Sequence, residues 1–167
     1  MQERRSVAAL TGPRVLAFSV AAAVAVVDWV TTALVLDHLH GARHLWGPFG
    51  LALTYNSGLA FSIFSGRAGF VTVLLCLGVV ALAVAVTRVR SMPLAVGAGL
   101  VLGGALGNVG ERIAGGHGGR VPDFVTLDYW PTFNVADACV TVGVVIVVIV
   151  FLFGGRTSAR PTSGATA

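Results

Sequence analysis

Apolar residues fall into four long runs separated by shorter polar stretches. Val15 to Leu36 covers 22 residues with one charge, Asp28. Ala68 to Thr87 covers 20, Met92 to Gly110 covers 19 and Ala138 to Gly155 covers 18, none with a charge. At 1.5 Å of rise per residue, about 20 apolar residues cross the hydrocarbon layer of a bilayer, so each run predicts a spanning helix. Helix is the expected state because a backbone polar group without a partner is costly in lipid. The first run has a rival reading as a cleaved signal peptide, with Arg4, Arg5 and Arg14 ahead of it and small residues at Ala21, Ala22 and Ala23. It continues well past an h-region of about 7–15 residues, so a retained helix is expected.

Two longer stretches lie between the runs on one side. In Asp37 to Arg67, the turn formers Gly47, Pro48, Gly50 and Gly58 interrupt apolar patches such as Leu51 to Tyr55. That pattern predicts short strands and turns at the membrane surface. The stretch from Glu111 to about Asp137 also faces outward: Gly115, Gly116, Gly118 and Gly119, then Val121-Pro122-Asp123-Phe124 with Asp123 in a loop before the fourth run, and Tyr129 and Trp130 suited to the headgroup layer.

Composition strengthens the membrane reading. Of the 167 residues, 56% are apolar and 11% charged, against about 25% charged in soluble domains, and the mean hydropathy is +0.87. So few charges cannot cover a soluble enzyme of this size, and a disordered chain would be far less apolar. The net charge is +4 and all 11 bases are arginine. A basic chain raises the question of nucleic acid, but these arginines cluster between apolar runs, as the positive-inside rule requires, so no nucleic-acid partner is expected. With four alternating helices, Arg4, Arg5, Arg14, Arg88, Arg90, Arg156 and Arg160 share one side. Arg43, Arg67, Arg112 and Arg120 lie on the other, which orients both termini to the cytoplasm. Cys76 and Cys139 lie within apolar runs without CxxC spacing and predict neither a disulfide framework nor a zinc site.

Polar groups converge at the outer end. Asp28 lies in the outer half of the first run, and a charge there needs a partner. Asn56 precedes the second run; Asn108, Glu111 and Arg112 close the third on one helix face; Asp123, Asn134 and Asp137 lead into the fourth. Each has a plainer role available. Asp137 suits a helix N-terminus, Asp123 a turn, Asn108 helix–helix contact, and Glu111 with Arg112 a mutual charge pair. Gly99, Gly103 and Gly107 repeat every four residues, the pattern of close helix packing. His38, His40 and His44 lack carboxylates at ligand spacing and read as surface residues. No nucleophile-elbow or zinc-protease motif occurs. Asp123 and Asp137 stand 14 residues apart on one side. Two close carboxylates share a proton, one acting as base toward water and the other as acid toward a carbonyl or leaving amine.

These residues resemble a known family. Asn56-Ser57-Gly58-Leu59-Ala60-Phe61-Ser62 is similar to the Asn-x-Gly-x-Ala-Phe-Ser block of the lipoprotein signal peptidases, or signal peptidase II family. Gly107-Asn108-Val109-Gly110-Glu111-Arg112 resembles its Gly-Asn-x-x-Asp-Arg block, Val121-Pro122-Asp123-Phe124 its Val-x-Asp-Phe block, and Phe133-Asn134-Val135-Ala136-Asp137 its Phe-Asn-x-Ala-Asp block. Asp28-Trp29-Val30-Thr31-Thr32 resembles the first-helix Asp-Gln-x-Thr-Lys block more weakly. The resemblance implies an all-α polytopic membrane protein of four transmembrane helices with a small extracytoplasmic β-rich cradle. It implies an intramembrane aspartic endopeptidase that removes signal peptides from bacterial prolipoproteins before the diacylglyceryl-modified cysteine. Asp123 and Asp137 would be catalytic; Asn56, Asn108, Glu111, Arg112, Asn134 and Asp28 would support them or bind substrate. No metal or other cofactor is implied, and the partners would be the lipid-modified prolipoprotein and membrane lipid. The expected location is the bacterial inner membrane, with residues 1–155 as one membrane domain and 156–167 as a disordered cytoplasmic tail. Departures from the family pattern are Glu111 for Asp, Trp29 and Thr32 for Gln and Lys, and an extra acid at Asp128. The alternatives are a non-enzymatic transporter subunit or scaffold using Asp28, Glu111 and Arg112 as a relay, and a divergent paralogue with another substrate.

Overall fold

The computed structural model describes residues 2–57 and 68–154. In chain order the elements are α1 (Gln2–His38), β1 (Arg43–Trp46), β2 (Phe49–Asn56), α2 (Ala68–Val86), α3 (Met92–Ala114), β3 (Val121–Leu127), β4 (Trp130–Phe133) and α4 (Val135–Phe153). Three helical segments are long and apolar enough to cross a membrane: Gly12–His38, Met92–Ala114 and Val135–Phe153. In α2 the described apolar segment, Thr72–Val86, is shorter. Gly58 to Arg67 and Gly155 to Ala167, which include much of the Asn56–Ser62 block and the expected tail, lie outside the described residues.

α3 is the middle of the helical layer, packed between α1 and α4. Small residues make this possible, since lipid offers no hydrophobic drive between helices and close backbone approach must supply the attraction. A Cβ at Gly99 would lie 2.6 Å from the Ala17 carbonyl oxygen and one at Gly103 2.6 Å from that of Ala21, so this row admits α1. Gly97 meets Ile146 and Gly104 meets the Ala136 carbonyl, so a second row admits α4. α2 rests on α3 through Val86, Val89, Ala95 and Ala98. The outward faces are apolar, with Phe18, Val26, Leu77, Val80 and Phe151 exposed, the reverse of a soluble bundle.

The strands form one antiparallel sheet in the order β1-β2-β3-β4. Gly47 takes φ 54° in the β1–β2 turn, a left-handed conformation that glycine adopts without a steric cost. The outward stretch after α3 thus contains two strands, and Asp123, expected in a loop, lies in β3. Pro122, which cannot donate to a ladder and so argues against an interior strand, is accommodated near the start of β3 opposite Tyr55. The fourth helix begins at Val135, three residues before its uncharged run. α1 ends, α3 ends and α4 begins at the strands, so the sheet sits at one end of the bundle.

Candidate active site

β3 places Asp123 within the sheet, where it is 2% exposed. Residues two apart on a strand share a face, so Thr54 and Asn56 of β2 both reach it. The Asn56 Nδ2 donates to Asp123 Oδ2 at 3.0 Å and Thr54 Oγ1 donates to the Asp123 carbonyl at 3.3 Å. On the other side Asn134 Nδ2 donates to Asp123 Oδ1 at 3.1 Å. Burial pushes the Asp123 carboxyl from the ordinary 3.8 up to about 6, opposed by the Asn56 hydrogen bond; the Asp137 charge adds to the rise and Arg112 opposes it.

Asp137 is held by the start of α4. Asn134 caps the helix: its Oδ1 accepts from the Asp137 backbone N–H at 2.9 Å. In return the Asn134 backbone N–H donates to Asp137 Oδ2 at 3.5 Å, closing a reciprocal capping box. Asn108 of α3 donates from Nδ2 to Asp137 Oδ1 at 2.8 Å, while its own Oδ1 accepts from Asn134 Nδ2 at 3.2 Å. Asn134 is 1% exposed and touches both carboxylates and Asn108. The helix-start role of Asp137 and its place in the network with Asn108, Asn134 and Asp123 are therefore one arrangement.

Asp28 reaches the same turn from α1. It is 1% exposed, and its Oδ1 accepts from the Ala136 backbone N–H at 2.8 Å. A Cβ at Gly107 would lie 2.6 Å from Asp28 Oδ2, so the small residue of α3 leaves room for the carboxylate. Trp29 beside it faces outward at 67% exposure, which removes that departure from the site. Thr32 is buried and its hydroxyl has no hydrogen-bond partner.

The plainer reading of Glu111 and Arg112 as a mutual charge pair is not what forms; among the described residues the salt bridge present joins His38 and Asp37. Consecutive helix residues point about 100° apart and do not face each other. Arg112 instead turns Nη1 to the Asn108 carbonyl at 3.0 Å, four residues back, and acts on Asp123 through its charge. Glu111 is buried with its carboxylate against Gly115. Asp128 sits exposed at the β3–β4 turn, with its N–H on the Pro48 carbonyl, away from these contacts.

The sequence reading missed Thr54 and the backbone N–H of Ala136, and it read Gly107 as a helix-packing residue without its place beside Asp28. The strand alternation around Asn56 pointed to Thr54; nothing in the local sequence points to a backbone N–H such as that of Ala136. A groove of about 280 Å³ opens on Asp137 between Leu127, Trp130, Phe133, Ala138, Thr141 and Val142. The site therefore holds two carboxylates with amide donors and one guanidinium around them and an apolar approach beside them. Such a set can polarise a water and protonate a leaving group.

Residues 20–153 match the family model of signal peptidase (SPase) II. The lipoprotein signal peptidase of Rhodococcus jostii strain RHA1 is 38% identical over 148 residues, 84% of this chain and 74% of that protein. The lipoprotein signal peptidase of Mycobacterium avium strain 104 is 36% identical over 145 residues, 83% of this chain and 80% of that protein. Two solved structures, both described as bacterial membrane enzymes studied by the in meso method, share the fold. One superposes with a TM-score of 0.72 at 23% identity, covering 89% of this chain and 94% of its own. The other has a TM-score of 0.73 at 25% identity, covering 82% and 92%.

Proposed function

Because the chain belongs to the signal peptidase II family, we propose that it removes signal peptides from bacterial prolipoproteins, with Asp123 and Asp137 as its catalytic pair. The observation that carries the assignment of the pair is Asn134, which donates to one carboxylate and caps the helix that bears the other. Asp123, raised to about 6, holds the shared proton and acts as acid toward the scissile carbonyl and the departing amine. Asp137, fixed by Asn108 and its capping box, takes the proton of the attacking water. Asn56, Asn108, Asn134 and Arg112 orient the pair. Glu111 and Asp28 act through packing and through the start of α4.

The bond cleaved lies before the diacylglyceryl-modified cysteine. The apolar groove beside Asp137 suits a substrate arriving sideways from the bilayer, whose lipid chains bring the bond to the carboxylates and lower the entropic cost of alignment. In this reading α2, 19 residues and so about 28 Å long, is a fourth crossing. Residues 1–155 act as one domain of the bacterial inner membrane, with 156–167 as a cytoplasmic tail. The arginine distribution supports cytoplasmic termini and an outward-facing pair. The test is turnover of a diacylglyceryl-cysteine precursor peptide by the purified protein in detergent and by its Asp123→Asn and Asp137→Asn variants. Cleavage before the modified cysteine by the parent and none by either variant is expected; normal turnover by either variant overturns the assignment of the pair.

A further inference from the structure

The far end of α3 has a different character. From Leu94 to Asn108 is 14 residues, about 21 Å along the axis, so what surrounds Leu94 is separate from the carboxylates. There a cavity of about 310 Å³ opens where α2 and α4 part over α3. Its walls include Leu82, Val86 and Val89 on one side, Leu94 beneath, and Val144 and Val148 on the other. No polar side chain lines it, so it suits a hydrocarbon chain.

The rim is cationic. Arg88 and Arg90 are exposed in the α2–α3 turn, flanking buried Val89, which itself lines the cavity. Arg14 approaches the same end from α1, where Gly12 lies against Met92, and its Nε is buried without a hydrogen-bond partner. Among the described residues no acid forms an ion pair with any of the three. We propose that this seam is a binding site for an anionic phospholipid, one acyl chain lying between α2 and α4 and the phosphate held by Arg88 and Arg90, with Arg14 nearby. Charge selects the class. A zwitterionic lipid brings its own cation to the rim, and the basic leading segment of a signal peptide meets like charge there. An anionic headgroup near a basic segment gains about 1 kcal/mol per arginine, or about fivefold in affinity. The bound chain fills the gap beside α2, the helix that rests chiefly on α3.

The test uses the full chain, purified in a neutral detergent and stripped of lipid. It is incubated with dioleoyl-phosphatidylglycerol or dioleoyl-phosphatidylcholine, and retained lipid is counted by native mass spectrometry. Phosphatidylglycerol should be retained about 25-fold better, and each of Arg88→Gln and Arg90→Gln should cut that preference about fivefold. Val148, 47% exposed at the mouth, tolerates a larger side chain, so Val148→Trp should fill the seam and lower retention about tenfold. Val80→Trp, on the outer face of α2 and outside the lining, should not. Phosphatidylglycerol should raise the Tm of the parent and not of the Arg88→Gln/Arg90→Gln double variant, with precursor turnover in neutral detergent confirming that every variant is folded. Equal retention of the two lipids, a preference that survives the double substitution, retention indifferent to Val148→Trp, or displacement of the lipid by an equimolar signal-peptide helix would each overturn the proposal.

Discussion

At its C-terminal end α3 supplies Asn108 and Arg112 to a network of amides and carboxylates in which the described polar atoms are nearly all paired. At its N-terminal end Leu94 and Ala98 line a cavity without polar groups, beneath arginines that have no acidic partner among the described residues. The same helix and the same glycine-rich packing serve both ends. The first is an end where position is over-determined, since each carboxylate is held from two or more elements. The second is an end where a gap and an unbalanced charge are tolerated because the bilayer itself supplies hydrocarbon and anions. Precision is concentrated where chemistry is proposed, and the remainder is left to lipid.

The largest test of this contrast is removal of the carboxylates. Asp123→Asn and Asp137→Asn should each lower turnover of a lipidated precursor by at least about 10²–10⁴-fold. The double variant should be scarcely worse, because groups that act as a unit fail as a unit. Equal and independent losses that multiply would break the idea of a pair.

Asn134 offers a finer cut, since it both caps α4 and bridges the carboxylates. Asn134→Ser keeps a good cap but loses both Nδ2 bonds; turnover should fall about tenfold or more while Tm changes little. Asn134→Ala should lose about 1 kcal/mol of stability as well. A Tm drop in the serine variant equal to that in the alanine variant would mean that the bridge is structural.

Burial at the sheet also sets a pH dependence. Asp123 holds its proton up to about 6 in place of 3.8. As the proposed acid of the pair, it should give a fall in kcat/KM as pH rises above about 6. Asn56 and Arg112 hold that value down, so Asn56→Ala should move the limb upward, and a limb that stays put would dissociate Asp123 from it. Stability runs in the same direction. The native state binds this proton more tightly than the unfolded chain, so its contribution is largest at low pH and is lost as pH rises from about 4 through about 6, of the order of 3 kcal/mol. Asp123→Asn should flatten that slope in melts recorded from pH 4 to 7.

The smallest effects come from residues at the margin. Asp28→Asn keeps an acceptor for the Ala136 N–H and should cost a few-fold in turnover, whereas Asp28→Ala should cost about tenfold. Asp128→Asn, in an exposed turn, should leave turnover within about twofold of the parent.

The helices were legible in the sequence because their signal is length and apolarity, and α1, α3 and α4 carry it plainly. The convergence of Asp28, Asn108, Asp123, Asn134 and Asp137 was legible because ionisable and amide groups near lipid have few other places to go. β3 was not, since Pro122 speaks against a strand and its pairing is with β2, far away in the chain. The plainer reading of Glu111 and Arg112 as a pair fails for a local reason: neighbours in a helix diverge, so adjacency in sequence does not bring the two side chains together. The Asp28–Ala136 contact was out of reach because a backbone N–H has no signature in sequence, and its partner lies 108 residues away.

That long reach has a consequence for the order in which the molecule becomes competent. Asp28 comes with α1, Asn56 with β2, Asn108 with α3 and Asp123 with β3; Asp137 and its cap come with α4, the last of the described elements. A nascent chain emerging from a ribosome in that order has only one member of the proposed pair until α4 has been translated and inserted. Assembly is thus its own safety catch. With Asp123 and Asp137 as the proposed pair, the chain has no active form until α4 is in place, and a chain truncated before Asn134 would be inert toward the precursors around it.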